Sequence, residues 1–311
     1  MFKKIKDYIL QLRFVRLTII FLKRVSLPGF DKIPIYYVIK FFLKGLFKGD
    51  ITQRAASLSF TFFLAIFPAL LALFSFIPYL PIENFVPTLL TLVEDIMPEA
   101  TWQIIEPIIN DMLLRQRGGL MSISFLISLF LTSNGVMAIS RAFNKSYYNI
   151  ETRTAFKQRL MSFYLIFIMS ILMFLAIGFI GVGRFSLNYL ASHEIISGGF
   201  MFKLLVFIKW LIVMLLIFFA ISFIYYLAPS NKKYYKFISA GSSLATFKSL
   251  MLMVRFDYYI SNFTRYNALY GSIGTLIGLM MWLYFNSILL LIGFELNVCI
   301  LKAREELKKI S

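Results

Sequence analysis

Hydrophobic positions along the chain fall into long blocks rather than short alternating or amphipathic runs. Six predominantly apolar blocks cover residues 55–79, 120–142, 160–182, 204–228, 237–260 and 272–299. Each is long enough for the roughly 20 residues a helix needs to cross a hydrocarbon core. The fifth is the least apolar, because it carries Lys248, Arg255 and Asp257. It is retained because removing it would put the basic N- and C-terminal regions on opposite sides of a membrane. The pattern predicts an all-α integral membrane protein, a bundle of about six transmembrane helices. Residues 1–54 form a basic N-terminal region, 55–301 the six-helix domain and 302–311 a tail.

The polar positions between the blocks set the orientation. Of the 32 Lys and Arg residues, 24 fall on one side of a six-helix arrangement: up to Arg54, from Arg141 to Arg159, from Lys232 to Lys236, and from Lys302 to Lys309. The longest connection, 80–119, lies on the other side and carries Glu83, Glu94, Asp95, Glu99, Glu106 and Asp111. Basic residues accumulate on the cytoplasmic side of membrane proteins. The expectation is therefore a bacterial cytoplasmic-membrane protein with both termini inside and the 80–119 loop outside. Prolines at 81, 87, 98 and 107 divide that loop into short apolar–acidic stretches, read as amphipathic helices capping the outer mouth.

Within the N-terminal region, residues 2–22 interleave Ile5, Ile9, Leu12, Val15 and Ile19 with basic residues. That suits an interfacial amphipathic helix on anionic inner-leaflet headgroups; an ordinary solvated basic helix is the alternative. Arg13 and Arg16 interrupt any apolar core of a cleavable signal peptide.

Composition agrees with the pattern: 59% of residues are hydrophobic and the mean hydropathy is +0.79. The net charge of +17 follows from the one-sided distribution and calls for membrane lipids as partners, not nucleic acid. A single cysteine, Cys299, and a single histidine, His193, argue against a disulfide framework or a metal centre. His193, beside Glu194, reads as a solvated loop residue. No phosphate-cradling glycine motif occurs, so no cofactor is expected, and any energy coupling would come from an ion gradient or a partner.

Three stretches carry unusual polar content. RAASLSFTFFLAIFP (54–68) places Arg54 at the cytoplasmic interface, follows it with small residues including Ser57, and sets Pro68 near mid-membrane as a kink or hinge. SRAFNKSYYNIETR (140–153) ends the second block with Arg141, Asn144 and Glu151, and Asn134, two turns deeper, must find a polar partner. In the fifth block Gly241, Lys248 and Arg255 recur every seven residues and are read as one face, an inward cationic face for an anionic ligand. Lys248 held structurally is the alternative. Asp257 lies nearly opposite Arg255. The sixth block has Gly271, Gly274 and Gly278 as a packing stripe, then Glu295 and Asn297 at its cytoplasmic end. Glu295 and Arg54 are at matching depth and are expected to pair, or to share a network with Arg141 and Asn144.

Those first two stretches, together with YNALYGSIGTLIGLMMWLYFNSILLLIGFELN (266–297), resemble the YihY/virulence factor BrkB family of bacterial inner-membrane proteins. The likeness runs from about residue 40 to 301, and the Tyr-Gly pair before a span ending in Gly-x-Glu-Leu-Asn is its most specific part. The resemblance implies six transmembrane helices. It also brings an old ribonuclease label, against which the residues argue: the cytoplasmic carboxylates Asp7, Asp31, Asp50, Glu151, Glu305 and Glu306 are scattered, with no histidine beside them. Two classes remain. One is a non-enzymatic transporter or lipid-handling protein with a path through Lys248, Arg255, Asp257 and Asn134 and a cytoplasmic gate at Arg54 and Glu295. The other is an envelope scaffold that binds a protein partner through the acidic outer loop.

Overall fold

The computed structural model describes residues 17, 20–76, 90–91, 106, 118–146, 153–192, 200–230, 236–261 and 272–310. Its extended elements are helices: α1 (Ile35–Lys48), α2 (Ile51–Phe76), α3 (Gly118–Asn144), α4 (Ala155–Ser192), α5 (Phe200–Leu227), α6 (Ala240–Ser261) and α7 (Ser272–Ile310). Helices α2 to α7 coincide in order and position with the six apolar blocks. Of the interfacial helix expected over 2–22 only residues 17 and 20–22 are described, and these are helical; most of the outer loop 80–119, His193, Glu151 and Gly271 lie outside the described residues.

Among the described residues, four spans are both long and apolar enough to cross a membrane: Phe125–Asn144, Ala155–Phe179, Lys203–Leu227 and Leu276–Lys309. Helix α2 has 26 residues, Ile51–Phe76, and runs through Pro68. Proline lacks the N–H that would bond the carbonyl four residues back. Helix α6 has 22 residues, enough length, but its charges dilute its hydropathy. Helix α7 has 39 residues, about 58 Å at 1.5 Å per residue, nearly twice a hydrocarbon core of about 30 Å. The expected tail over 302–311 is thus, up to Ile310, a continuation of the last helix.

The helices close into a ring. Each of α2 to α6 packs on the next in sequence, and α7 returns to pack on α2. Helices α4 and α5 carry the most exposed apolar surface, including Phe156, Leu160, Phe167, Phe207, Trp210 and Leu215. Surface of that kind is solvated by acyl chains, not water. The interior is closed by side chains from alternate helices. Phe143 of α3 stacks on Phe294 of α7 with centroids 3.9 Å apart and planes 7° apart. Tyr225 of α5 stands 5.7 Å from the Phe143 ring. All three are fully buried, and the Tyr225 hydroxyl donates to the Leu290 carbonyl at 2.7 Å. Such edge and stacked contacts add to the area that aromatic rings bury.

Two glycines allow α6 and α7 to touch through their backbones. A Cβ on Gly241 would stand 2.1 Å from the Gly293 carbonyl oxygen, and one on Gly293 would stand 2.3 Å from the Tyr225 hydroxyl. This contact is a tight one that the predicted Gly271–Gly274–Gly278 stripe did not include. Gly274 lies within α7, and Gly278 is buried on it.

The basic N-terminal region contains a helix that the apolar blocks did not announce. Helix α1 is anchored on α7 by a second cluster in which Phe30, Ile33 and Val38 meet Leu296, Ile300 and Ala303. Asp31 ties the preceding loop to the same end of the bundle, pairing with Lys236 at 2.5 Å and Arg304 at 3.8 Å.

Candidate functional site

The polar groups converge at the end of the ring where the basic residues gather. Arg54, in the first turn of α2, is 9% exposed, and Glu295 of α7 is 0% exposed. Arg54 Nη2 donates to Glu295 Oε1 at 2.5 Å, and Nη1 donates to the Ala142 carbonyl at 3.1 Å. The second carboxylate oxygen accepts from Ser146 Oγ at 2.8 Å. The two residues expected to pair from their matching depth therefore do so. Their third partner is Ser146, just beyond α3, and not Arg141 or Asn144. A buried carboxylate without such partners would be strongly destabilising.

Asn144 is turned away from that pair. Its Nδ2 donates to Ser230 Oγ at 2.8 Å, and its Oδ1 accepts from the Ser230 N–H at 3.2 Å. Ser140, one turn earlier, donates to the Ala228 carbonyl at 2.7 Å. Arg153 completes the clasp by donating to the carbonyls of Leu227 and Pro229. Burial lowers its pKa from the ordinary arginine value. The carbonyls at the end of α5, which have no helical donors, are satisfied by side chains from α3 and the α3–α4 connection. Sequence reasoning missed this clasp because the partners lie 74 to 88 residues apart.

Asn297 performs the same service for α6. Its Oδ1 accepts from the Gly241 N–H at 2.8 Å, and its Nδ2 donates to Ser239 Oγ at 2.9 Å. Ser239 is the N-cap, its hydroxyl accepting from the Ser242 N–H at 3.1 Å. Asn134, expected in the ligand path, has its Oδ1 engaged at 2.9 Å by Arg159 of α4. That guanidinium also lies 4.2 Å over the Phe130 ring. Asn134 is therefore a joint between α3 and α4.

The structure places Lys248 and Arg255 beside the packed face of α6 rather than on it. Both stand on the exposed side of α6, whose packed face runs through the buried Ser242, Ala245 and Thr246 to Phe256, 5.0 Å from the Trp282 ring. Gly241 is at the edge of that face, buried only because its lack of a side chain lets backbone approach. A seven-residue step falls short of two full helical turns by about 20°, which carries Lys248 and then Arg255 further out. Asp257 lies within α6.

Beside the Arg54–Glu295 pair opens a cavity of about 810 Å³ between the basic ends of α2 and α3. Its wall includes Lys48, Arg54, Arg141 and Lys145 against the single acid Asp50, with Ser57, Thr61 and Gln53 as neutral donors. Arg141, Lys145 and Ser57 are exposed toward it, while Arg54 forms its boundary with the core. The entrance is shaped by the Gly49–Asp50 turn between α1 and α2. Asp50 has φ 46°, and a Cβ on Gly49 would stand 2.4 Å from the Gly45 carbonyl. Lys48, Arg141 and Lys145, with several hydroxyl or amide donors beside an Arg54 already held by Glu295, suit an anion. The sequence signal for Lys48 and Lys145 was present only as membrane-flanking charge, indistinguishable from its neighbours without the fold.

Among the described residues no three His, Cys, Asp or Glu side chains gather into a metal-binding group. The sequence pattern of the virulence factor BrkB family matches residues 42–311. A Bacillus subtilis (strain 168) protein named "Putative ribonuclease-like protein YfkH" is 30% identical over 268 residues, 85% of this chain and 96% of that protein. A UPF0761 membrane protein of Aggregatibacter aphrophilus (strain NJ8700) is 25% identical over 266 residues, 83% of this chain and 90% of its own length. Another, from Haemophilus influenzae (strain 86-028NP), is 25% identical over 261 residues, 82% and 91% of the two chains. No solved structure matches the chain.

Proposed function

The chain belongs to the virulence factor BrkB family, and from that premise we propose that this multi-pass membrane protein is a non-enzymatic transporter or lipid-handling protein for an anionic ligand. It resides in the bacterial cytoplasmic membrane with its basic end in the cytoplasm. The phosphate or carboxylate of the ligand enters the vestibule between α2 and α3. The single observation that carries this reading is the cationic wall of the cavity, Lys48, Arg54, Arg141 and Lys145 facing one acid.

The floor of the vestibule is the cytoplasmic gate. Arg54 bridges Glu295 and the Ala142 carbonyl, and the Phe143–Phe294–Tyr225 cluster fills the ring interior. A ligand that competes for Arg54 loosens α2 from α7, and that is how occupancy is coupled to opening. The same geometry favours transport or lipid handling over hydrolysis. The buried carboxylate Glu295 has both oxygens engaged, so it is not free to act as a base.

Native mass spectrometry of the full-length protein tests the reading, wild type beside the Arg141→Gln/Lys145→Gln double variant. Both side chains are exposed, so the fold tolerates their loss. The expected result is a discrete anionic species retained by the wild type and lost from the variant, its mass separating a phospholipid from a free carboxylate solute. Equal, non-selective lipid in both would overturn the vestibule as a ligand site.

A further inference from the structure

Helix α1 has three faces, and among the described residues the apolar cluster on α7 takes up one of them. Val38 and Gly45 are buried, and with Phe41 and Phe42 they hold the helix on α7. A second face presents Ile39, Leu43 and Phe47 at four-residue spacing, 41%, 48% and 85% exposed. A third presents Lys40, Lys44 and Lys48, each one residue later and each exposed. Positions four apart line one side of a helix, and adjacent residues are about 100° apart around it. The apolar and lysine stripes therefore run side by side along the helix.

We propose that α1 is a membrane-surface helix: Ile39, Leu43 and Phe47 enter the acyl boundary of the leaflet at the basic end of the bundle, and the lysine stripe sits among anionic headgroups. The level is right. Helix α1 packs on Leu296, Ile300 and Ala303 of α7, where the last apolar span gives way to Lys302, Arg304, Lys308 and Lys309. The charge is right as well. A row of lysines bordering an apolar stripe is how an amphipathic helix is held on an anionic bilayer, and each lysine near such a surface adds attraction that salt screens.

Lys48 is both the end of the stripe and part of the vestibule wall, so the stripe leads headgroups to the cavity mouth. That continuity rests on the function proposed above, whereas the surface placement of α1 does not.

Spin labels report the placement in the full chain reconstituted in phosphatidylcholine vesicles with and without phosphatidylglycerol. The background is Cys299→Ser, which removes the buried cysteine, and labels are attached at Lys40→Cys, Leu43→Cys and Phe47→Cys. The expected result is collision with oxygen exceeding collision with a water-soluble nickel chelate at 43 and 47, with the order reversed at 40. Phosphatidylglycerol should deepen the seat, and a Lys40→Gln/Lys44→Gln/Lys48→Gln variant should lose that effect. Preference for nickel at all three sites would overturn the proposal. So would positions 43 and 47 inaccessible to both reagents, the signature of a protein segment or second copy covering the face. Depth independent of phosphatidylglycerol would remove the anionic headgroup from it. These readouts are independent of ligand retention in the vestibule, so either reading can fail alone.

Discussion

Arg54 and Glu295 are 241 residues apart in the chain, and their nearest side-chain atoms are 2.5 Å apart, joining the first and last helices of the ring. Removing one partner leaves the other buried and uncompensated, which costs about 3–5 kcal/mol. Arg54→Leu and Glu295→Leu should each lower the melting temperature in detergent strongly, and similarly to each other. The double change Arg54→Leu/Glu295→Leu should recover much of the loss, because no charge is then stranded. The check is a double-mutant cycle by thermal unfolding; strictly additive losses would mean that the pair does not act as a unit.

The contact between Gly241 and Gly293 sets how closely α6 approaches α7. Gly241→Ala would place a methyl group 2.1 Å from the Gly293 carbonyl oxygen, a backbone atom that moves only with its helix. A loss of about 1–3 kcal/mol is expected from overpacking. Gly178 of α4 has nothing within 4 Å of its hypothetical Cβ, so Gly178→Ala should be neutral or stabilise by about 0.5–1 kcal/mol through helix propensity. Parallel thermal melts of the two variants decide it. Equal effects would show that the close approach is not held in solution.

The clasp on the end of α5 makes a separate prediction. Asn144 donates to the Ser230 hydroxyl and accepts from the Ser230 N–H, so Asn144→Ala leaves that N–H without its acceptor and should cost about 1–3 kcal/mol. Ser230→Ala should cost less, since its backbone N–H keeps Asn144 Oδ1 as partner. Arg153→Lys should lose the forked contact to Leu227 and Pro229, because an ammonium does not reproduce the guanidinium geometry. Limited proteolysis at the α5–α6 connection reads this out: faster cleavage in Asn144→Ala and Arg153→Lys than in wild type is the expected order.

The blocks of apolar residues made the six large helices legible, because lipid exposure demands long continuous runs and leaves little ambiguity. Depth relative to the membrane made the Arg54–Glu295 pair legible too, since two opposite charges at one level need each other. Facing was not legible. Lys248 was assigned inward from its seven-residue spacing with Gly241, yet Gly241 is buried by backbone proximity and the spacing drifts outward. Helix α1 was missed because its 14 residues are too few for a span, although Lys40, Lys44 and Lys48 at four-residue spacing carry an amphipathic signal. Ser146 and Ser230 carry no signal at all in sequence, since a serine becomes a ligand of a buried charge or amide only through the fold.

The exposed cations of α6 and the cations of the vestibule give opposite expectations for the same measurement. Lys248 and Arg255 are exposed on α6, and replacing either with alanine should change stability by no more than about 0.5 kcal/mol, as for surface sites in general. Retention of an anionic ligand should also stay within about twofold. Arg141 and Lys145 line the cavity, where each charge-assisted hydrogen bond to the ligand contributes about 1.5–3 kcal/mol, so losing one should weaken binding by about tenfold or more. Titrating phosphatidylglycerol and short dicarboxylates against each variant, by native mass spectrometry at fixed ionic strength, ranks the four positions. Loss at Lys248→Ala with full retention at Arg141→Gln would return the ligand path to α6 and leave the vestibule a solvated entrance. The order predicted by the geometry is the reverse.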